Sequence, residues 1–393
     1  MRIVLKISDR CNLVCRYCYC KRDGNRPESV KKNVGIKLIL GETVKVLNQS
    51  GTGKGHQIVF FGCEPLCEFE TLKLLYSKLE KNFPELSYSI VTNGTLLNCR
   101  ISDWLMENGL FTSVSIDGAQ NDHDANRKYH SGTGSYGSIM KNVSNLATRH
   151  PKAFSKLVSA RMTVTPATVA RLLENLRHIE NLGFESAGFA IDTTNKTWSE
   201  RHFEFLKENA VRAAQEFLSE KDFISIPEFS KITQGIKSAC RPGIDTITID
   251  KYGRKYVCHR SNSMESVLER QTCMECKARD FCTRCTTRMG IRRPNTACKI
   301  KYALMPAFEM LQNGPDKSKN VSEVQNIHRR EQTVDRLIEV KGKLYRVPQE
   351  VLDKFRVEGK ENEISKDPST QTPGRVEPPL KGNWYELGES DCF

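Results

Sequence analysis

Short apolar runs alternate with amphipathic helical patterns through the first half of this 393-residue chain. Strands are predicted at residues 2–8, 57–62, 87–93, 112–117, 158–165 and 187–192, and helices at residues 34–48, 72–82, 101–108, 136–149 and 168–182. Strands that are joined by crossover helices pair in parallel. The pattern therefore predicts an α/β fold, a partial (β/α)6 TIM-like barrel whose site lies at the carboxyl ends of the strands.

Polar residues alternate with apolar ones in two of these strands. Val114 and Ser115 lie on opposite faces of their strand, and Arg161 opposes the apolar face of the next one. A charged side chain costs free energy in a dry core. Arg161 is therefore expected either to bind an anionic group in a polar lumen or to form a structural ion pair with Asp117 or Asp192.

Length and cysteine usage bound the class of protein. The chain can bury a sizeable core and is expected to divide into several units. No stretch of 18 apolar residues and no signal-peptide pattern is present, so a cytoplasmic protein without membrane segments is expected. The 15 cysteines cluster at metal-ligand spacings, which indicates a reducing compartment.

The formal charge of +13 raises the possibility of a nucleic-acid partner. The basic residues are spread along the chain, however, and cysteine thiolates bound to metal would offset several of the charges. The charge therefore favours a generic basic surface or an acidic peptide partner over a nucleic-acid-binding protein.

Three cysteines follow the first predicted strand at the spacing C-x3-C-x2-C. They are Cys11, Cys15 and Cys18, with the aromatic Tyr17 before the third. Three thiolates at this spacing can hold three irons of a [4Fe–4S] cluster, because cysteine thiolates are the usual ligands of such clusters. Half of a zinc site is the alternative reading of the spacing.

The triplet resembles the signature of the radical S-adenosylmethionine (SAM) superfamily. That resemblance implies that the fourth iron chelates the amine and carboxylate of SAM. Residues 62–65 resemble the Gly-Gly-Glu-Pro motif of the same superfamily, with Cys63 in place of the second glycine. The motif implies that Gly62 and Glu64 hold the amino group of SAM.

Residues 92–97, 115–118 and 123–127 are similar to a subgroup that contains anaerobic sulfatase maturases and peptide-modifying enzymes. By that resemblance, Ser115 belongs to the SAM-binding strand end and Asn93 lies near the nucleoside. Tyr17 and Arg161 complete the expected SAM-binding residues, with Arg161 toward the carboxylate. His123 is expected to order its loop by a hydrogen bond.

Cysteines resume in a second unit, and their combined spacing resembles the SPASM domain, which carries two auxiliary [4Fe–4S] clusters. The resemblance assigns the first auxiliary cluster to Cys240, Cys258 and Cys285, and the second to Cys273, Cys276, Cys282 and Cys298. It thus implies three [4Fe–4S] clusters in all, with the fourth ligand of the first auxiliary cluster unassigned. A zinc ribbon is the alternative for this unit.

His259 stands where sulfatase maturases have an Asp base, directly after the cysteine that matches Cys258. This departure counts against formylglycine formation. An imidazole can accept a proton near neutral pH, so His259 is the candidate catalytic base.

The tail is polar, with a hairpin predicted at residues 337–347 and a stretch typical of a flexible linker after residue 359. Trp384, Tyr385 and Cys392 lie near its end. One hypothesis is that the tail is a fused peptide substrate; the other is that it docks a partner or regulates the enzyme.

These features predict a radical SAM barrel at residues 1–225, a SPASM domain at 226–312, a small folded element at 313–358 and a flexible tail at 359–393. The expected activity is oxidative crosslinking of a ribosomally made peptide, by a C–C or thioether bond, with electrons from a ferredoxin- or flavodoxin-like protein. The alternatives are a formylglycine-generating sulfatase maturase and, in another class, a zinc- or cluster-bearing nucleic-acid-binding protein.

Overall fold

The computed structural model describes residues 1–18, 20, 35–50, 55–193, 195–219, 224–227, 229, 246–258, 296–313, 336–340 and 343–347. The strands are β1 (Arg2–Ser8), β2 (Gln57–Gly62), β3 (Ser87–Thr92), β4 (Phe111–Ser115), β5 (Val158–Val164), β6 (Ala187–Ile191), β7 (Thr246–Asp250), β8 (Lys255–Tyr256), β9 (Arg336–Val340) and β10 (Lys343–Val347). The helices are α1 (Ile36–Gln49), α2 (Phe69–Asn82), α3 (Cys99–Glu107), α4 (Gln120–Asn126), α5 (Tyr136–Arg149), α6 (Pro151–Leu157), α7 (Leu172–Asn181), α8 (Glu200–Ser219) and α9 (Thr296–Asn313).

One sheet organises the larger unit, with strand order β6-β5-β4-β3-β2-β1-β7-β8. Every neighbouring pair from β6 to β7 is parallel, which confirms the α/β partial barrel. β1 is buried along most of its length, including Ile3, Val4, Leu5 and Ile7. Such a continuous apolar run is expected of a parallel strand that is covered on both faces.

Helices cover the sheet with apolar stripes at helical spacing. In α2, for example, Leu72, Leu75 and Leu79 are buried at intervals of three and four residues. The predicted alternation in β4 also holds, because Val114 and Ile116 are fully buried while Ser115 is only partly so.

Two short helices were not predicted, each for a physical reason. α4 has the sequence QNDHDAN and no apolar period, and the side chains it buries include those of Asp122 and His123. α6 begins at Pro151 directly after α5, where proline fits the first helical turn. The helix predicted at residues 72–82 begins earlier, at Phe69, after a 3₁₀ turn at Pro65–Glu68.

Residues 246–256 form a hairpin from β7 and β8, and β7 pairs in parallel with β1. Asp250 closes its turn by accepting hydrogen bonds from the backbone N–H groups of Tyr252 and Arg254, each at 2.9 Å. Lys251, 5% exposed, forms an ion pair with Asp9 at 2.8 Å. This hairpin therefore extends the barrel sheet on the far side of β1.

The remaining described elements are the helices α8 and α9 and the hairpin of β9 and β10. α9 packs against α8. Residues 316–384 are a smaller, separate unit, in which β9 and β10 form the antiparallel hairpin predicted at residues 337–347. No helix in the described ranges is both long and apolar enough to cross a bilayer. The predicted tail at residues 359–393 lies outside the described residues.

Gly118 and Gly132 provide a matched test of close packing behind β4. Both have positive φ, +108° and +86°, but a Cβ on Gly118 would lie 2.0 Å from Oδ1 of Asn175 whereas one on Gly132 meets open space. Gly132→Ala is expected to lower the free energy of unfolding by about 1–2 kcal/mol through backbone strain. Gly118→Ala should lower it by roughly a further 1–3 kcal/mol, because the site is also overpacked. Urea unfolding of both variants measures the difference, and equal losses would contradict the close packing.

Candidate active site

The cysteine triplet lies in the loop that leaves the carboxyl end of β1. The side chains of Cys11, Cys15 and Cys18 are partly buried and form no disulfide. Backbone hydrogen bonds tie this loop to residues 126–128: the N–H of Val14 donates to the Lys128 carbonyl at 2.7 Å, and that of Arg16 to the Asn126 carbonyl at 2.8 Å. The loop is therefore fixed against the chain that follows α4.

The chemistry of the three thiols fits a cationic iron–sulfur group. Burial is the main reason that the pKa of Cys11 is raised to about 12, and the nearby charges of Glu64, Cys15 and Cys18 contribute in the same direction. Iron ligation offsets this cost, since a coordinating thiol is deprotonated by the metal charge. In the described ranges, no group of three or more His, Cys, Asp or Glu side chains is arranged to hold a single metal ion. A [4Fe–4S] cluster instead takes each thiolate on a different iron.

Glu64 follows β2, and its carboxylate is 1% exposed. Oε1 accepts hydrogen bonds from the hydroxyl of Thr92 at 2.8 Å and the N–H of Leu66 at 3.1 Å, and Oε2 accepts from the N–H of Asn93 at 2.7 Å. A carboxylate offers about four acceptor positions, so one remains for a ligand. Burial raises the pKa of Glu64 to about 7, although these three hydrogen bonds act to lower it.

Asn93 connects Glu64 to the cysteine loop. Its side-chain amide donates to Oδ1 of Asn12 at 2.9 Å and to Sγ of Cys11 at 3.7 Å. Its Oδ1 accepts from the N–H and hydroxyl of Thr95, at 2.9 and 2.6 Å. The resemblance places Asn93 near a nucleoside, and the structure places its amide beside Cys11.

Gly62 permits the close approach of β2 to β1 at this edge. Its φ is +148°, and a Cβ there would lie 2.4 Å from the carbonyl oxygen of Ser8. The next residue, Cys63, donates its backbone N–H to that same oxygen at 3.0 Å. The Cys63 side chain is partly buried and hydrogen-bonded with the Cys20 thiol.

Ser115 and Arg161 lie side by side on neighbouring strands. They are register partners in the parallel β4–β5 pair, both partly exposed, so their side chains share the polar face. Asp117, one of the partners considered for Arg161, is 1% exposed and lies close to Arg127, at 3.1 Å for both Nη2–Oδ1 and Nε–Oδ2. The Tyr17 hydroxyl also donates to Asp117.

Tyr17 also lines a cavity of about 450 Å³ at the carboxyl ends of β5 and β6. Side chains of both charges and several hydrogen-bonding groups surround it, among them Arg16, Asn126, Thr165, Asp192 and Lys196. The cavity thus adjoins the cysteine loop and is large enough for part of an organic ligand.

Sequence reasoning missed two features of this site. One is the set of hydrogen bonds among Asn12, Asn93 and Thr95. The other is the buried Asp117–Arg127 pair. The sequence carries no signal for the second, because Asp117 has another candidate partner in Arg161 and the burial of Arg127 beside it is visible only in the fold.

The structure describes only part of the cysteine-rich segment at residues 226–312. Cys258 is buried after β8, and Cys298 is partly exposed in the first turns of α9. His259 and the remaining predicted cluster ligands Cys240, Cys273, Cys276, Cys282 and Cys285 lie outside the described residues. Their assignments therefore stay predictions.

Residues 5–166 match the family described as the Radical SAM superfamily. An uncharacterized protein of Methanocaldococcus jannaschii is 27% identical over 192 residues, 48% of this chain and 61% of that protein. The serine-type anaerobic sulfatase-maturating enzyme of Bacteroides thetaiotaomicron is 30% identical over 143 residues, 36% of this chain and 34% of that enzyme. The radical SAM cyclopropyl synthase TigE of Paramaledivibacter caminithermalis is 29% identical over 136 residues, 31% of this chain and 28% of that enzyme.

The chain thus spans less than two thirds of the length of these curated relatives. Among solved structures, native anSMEcpe with bound AdoMet and Cp18Cys peptide superposes with a TM-score of 0.62. The alignment covers 79% of this chain and 97% of that one at 19% identity, which shows a shared fold.

Glu64 generates a pH-dependent prediction. With a pKa of about 7, its ionised fraction rises roughly tenfold between about pH 6 and pH 8. SAM binding to the cluster-loaded protein is therefore expected to tighten by up to about tenfold over that range, and Glu64→Gln should remove this dependence. Equilibrium binding measures the effect, with Glu68→Gln, a more exposed carboxylate paired with Arg10, as the control. A Glu64→Gln variant with the same pH slope as the wild type would contradict the role of Glu64.

Proposed function

We propose, from the radical SAM domain that residues 5–166 form, that this protein is a peptide maturase that oxidatively modifies a ribosomally made peptide. When bound, the cluster supplies the electron that splits SAM into methionine and a 5′-deoxyadenosyl radical, and that radical abstracts a hydrogen from an unactivated carbon. The protein's own residues hold SAM and the substrate and exclude water.

The observation that carries this proposal is the position of Glu64 relative to the cysteine triplet. Its carboxylate is held by three donors at 2.7–3.1 Å, and one donor residue, Asn93, also contacts Cys11. An amino group that binds the remaining acceptor position of Glu64 would therefore lie beside the cluster. Charge-assisted hydrogen bonds of this kind are short and strong.

The other side chains at the strand ends suit the rest of SAM. Arg161 lies next to Ser115 of the adjoining strand on the polar face, and its guanidinium is of the right charge to bind the SAM carboxylate. The cavity beside Tyr17 offers hydrogen-bonding groups and volume for further parts of SAM or of the substrate. Its position at the carboxyl ends of the strands is the usual one for the site of such a barrel.

A peptide substrate is supported by the kinds of protein that share the domain and the fold. These include a sulfatase-maturating enzyme and a structure with a bound peptide. We propose a C–C or thioether crosslink as the product. In that reaction one C–H bond loses its hydrogen atom to the 5′-deoxyadenosyl radical, the partner C–H or S–H group loses a proton as the new bond forms, and one electron is left over. Two auxiliary clusters would take up that electron; Cys240, Cys258 and Cys285 would hold one of them, and Cys273, Cys276, Cys282 and Cys298 the other. A ferredoxin- or flavodoxin-like protein would supply the first electron.

Formylglycine formation is the second candidate, since a relative at 30% identity is a sulfatase-maturating enzyme. His259, in place of the expected Asp base, argues against it. The product separates the two candidates, because formylglycine carries an aldehyde that reacts with hydrazides and a crosslink does not.

The cluster content and SAM cleavage test the proposal together. The reconstituted protein is expected to hold about twelve irons, and Cys11→Ala/Cys15→Ala/Cys18→Ala about eight. Under anaerobic reduction, the wild type should convert SAM to 5′-deoxyadenosine and the triple variant should not. Cys67→Ala serves as the control, because Cys67 is a partly buried cysteine outside the triplet. Zinc in place of iron, with no SAM cleavage, would instead favour the zinc- or cluster-bearing nucleic-acid-binding class.

The C-terminal tail is tested by the mass of the enzyme itself. If the tail is a fused substrate, turnover with SAM should change the mass of a proteolytic fragment that contains Trp384, Tyr385 and Cys392. An unchanged fragment after confirmed SAM cleavage would exclude the fused substrate and leave a separate precursor peptide as the substrate.

A further inference from the structure

A buried ion pair lies behind the cysteine loop. Arg127 is 7% exposed and Asp117 is 1% exposed. The guanidinium Nη2 donates to Oδ1 of Asp117 at 3.1 Å, and Nε lies 3.1 Å from Oδ2. Asp117 also accepts from the N–H of Thr163 at 2.9 Å and from the Tyr17 hydroxyl.

The same pair holds the aromatic side chain of the cysteine loop. The Arg127 guanidinium carbon lies 5.3 Å from the centre of the Tyr17 ring, within cation–π range. Tyr17 is therefore held by Arg127 at its face and by Asp117 at its hydroxyl. Because Tyr17 directly precedes Cys18, this arrangement fixes the loop that carries the cluster ligands.

The backbone of Arg127 is itself fixed on both sides. The flanking carbonyls of Asn126 and Lys128 accept the hydrogen bonds from the cysteine loop. The Arg127 carbonyl accepts from the Ser135 hydroxyl at 3.0 Å, and that hydroxyl is 3.0 Å from Nε2 of His123. His123 thereby orders this loop, and its Nδ1 accepts the N–H of Asp117 at 3.3 Å.

The positive charge of Arg127 also acts on the cysteine triplet, through Cys15. Its guanidinium interacts electrostatically with the Cys15 sulfur. Charges in a buried, low-dielectric site interact more strongly than charges in water. Reduction adds a negative charge to an iron–sulfur cluster, and net charge is one of the quantities that set its reduction potential. A buried cation at this position favours the reduced form.

We propose that Arg127 is a positioning residue for the SAM-binding cluster, which fixes the cysteine loop through Tyr17 and raises the reduction potential of the cluster, with Asp117 as the opposing charge. The proposal rests on the proposed function only in that the triplet carries a [4Fe–4S] cluster.

The test is a redox titration of the reconstituted full chain, following the EPR signal that changes when SAM is added. Arg127→Met is expected to shift the midpoint potential to more negative values, and Asp117→Asn to more positive ones. Arg127→Lys, which keeps the charge, should stay near the wild type, as should the charge-balanced double variant Arg127→Met/Asp117→Asn. Arg171→Met is the control, since Arg171 pairs with Asp122 but its side chain is 48% exposed. Iron content is measured for every variant.

Opposite shifts in the two single variants, at wild-type iron content, support the proposal. A merely structural role would lower iron content or move both potentials in the same direction, and either result would overturn it, as would unchanged potentials. If Arg127→Met does not retain the cluster, Asp117→Asn decides, since only a positive shift agrees with the proposal. A wild type without iron would instead overturn the proposed function.

Discussion

The close approach of β2 to β1 is the constraint on which the site depends. Because Gly62 has no side chain, the backbone after β2 reaches the Ser8 carbonyl, and the N–H of Glu64 donates to the Arg10 carbonyl at 2.9 Å. These bonds join the segment that carries Glu64 to the segment that leads into Cys11. The carboxylate and the thiols are therefore placed relative to each other by backbone, which is more rigid than contacts between side chains.

Several charges are buried at this edge of the sheet, and the structure offsets the cost of each differently. Glu64 accepts hydrogen bonds from neutral donors, and burial still raises its pKa. A positively charged amino group beside it would therefore stabilise its ionised form. Asp117 is paired with Arg127 and has further donors in Tyr17 and Thr163. Removing one member of a buried ion pair usually costs about 3–5 kcal/mol, because the other is left uncompensated. The charged groups therefore favour one arrangement of the loops around Cys11, Cys15 and Cys18.

The sequence was sufficient for the sheet because parallel strands covered on both faces are apolar runs, as in β1, and because alternation in β4 separated Val114 from Ser115. It was not sufficient for α4, whose buried side chains are held by polar contacts that leave no apolar period. The sequence also does not show which polar side chains pair with each other. Asp117 was a candidate partner for Arg161, and only the geometry shows its bonds to Arg127 and Tyr17. The position of Asn93 beside Cys11 is likewise set by long-range packing.

The β7–β8 hairpin has a consequence for how such a chain can be divided. It comes from the segment that precedes most of the second set of cysteines, yet it pairs with β1 and its Lys251 binds Asp9. A barrel shortened to its first 225 residues would leave β1 as an edge strand with unpaired backbone N–H and C=O groups, and such edges pair with strands of other chains. Any chimaera that exchanges the cysteine-rich segment must therefore keep this hairpin with the barrel, so the modular boundary lies beyond it.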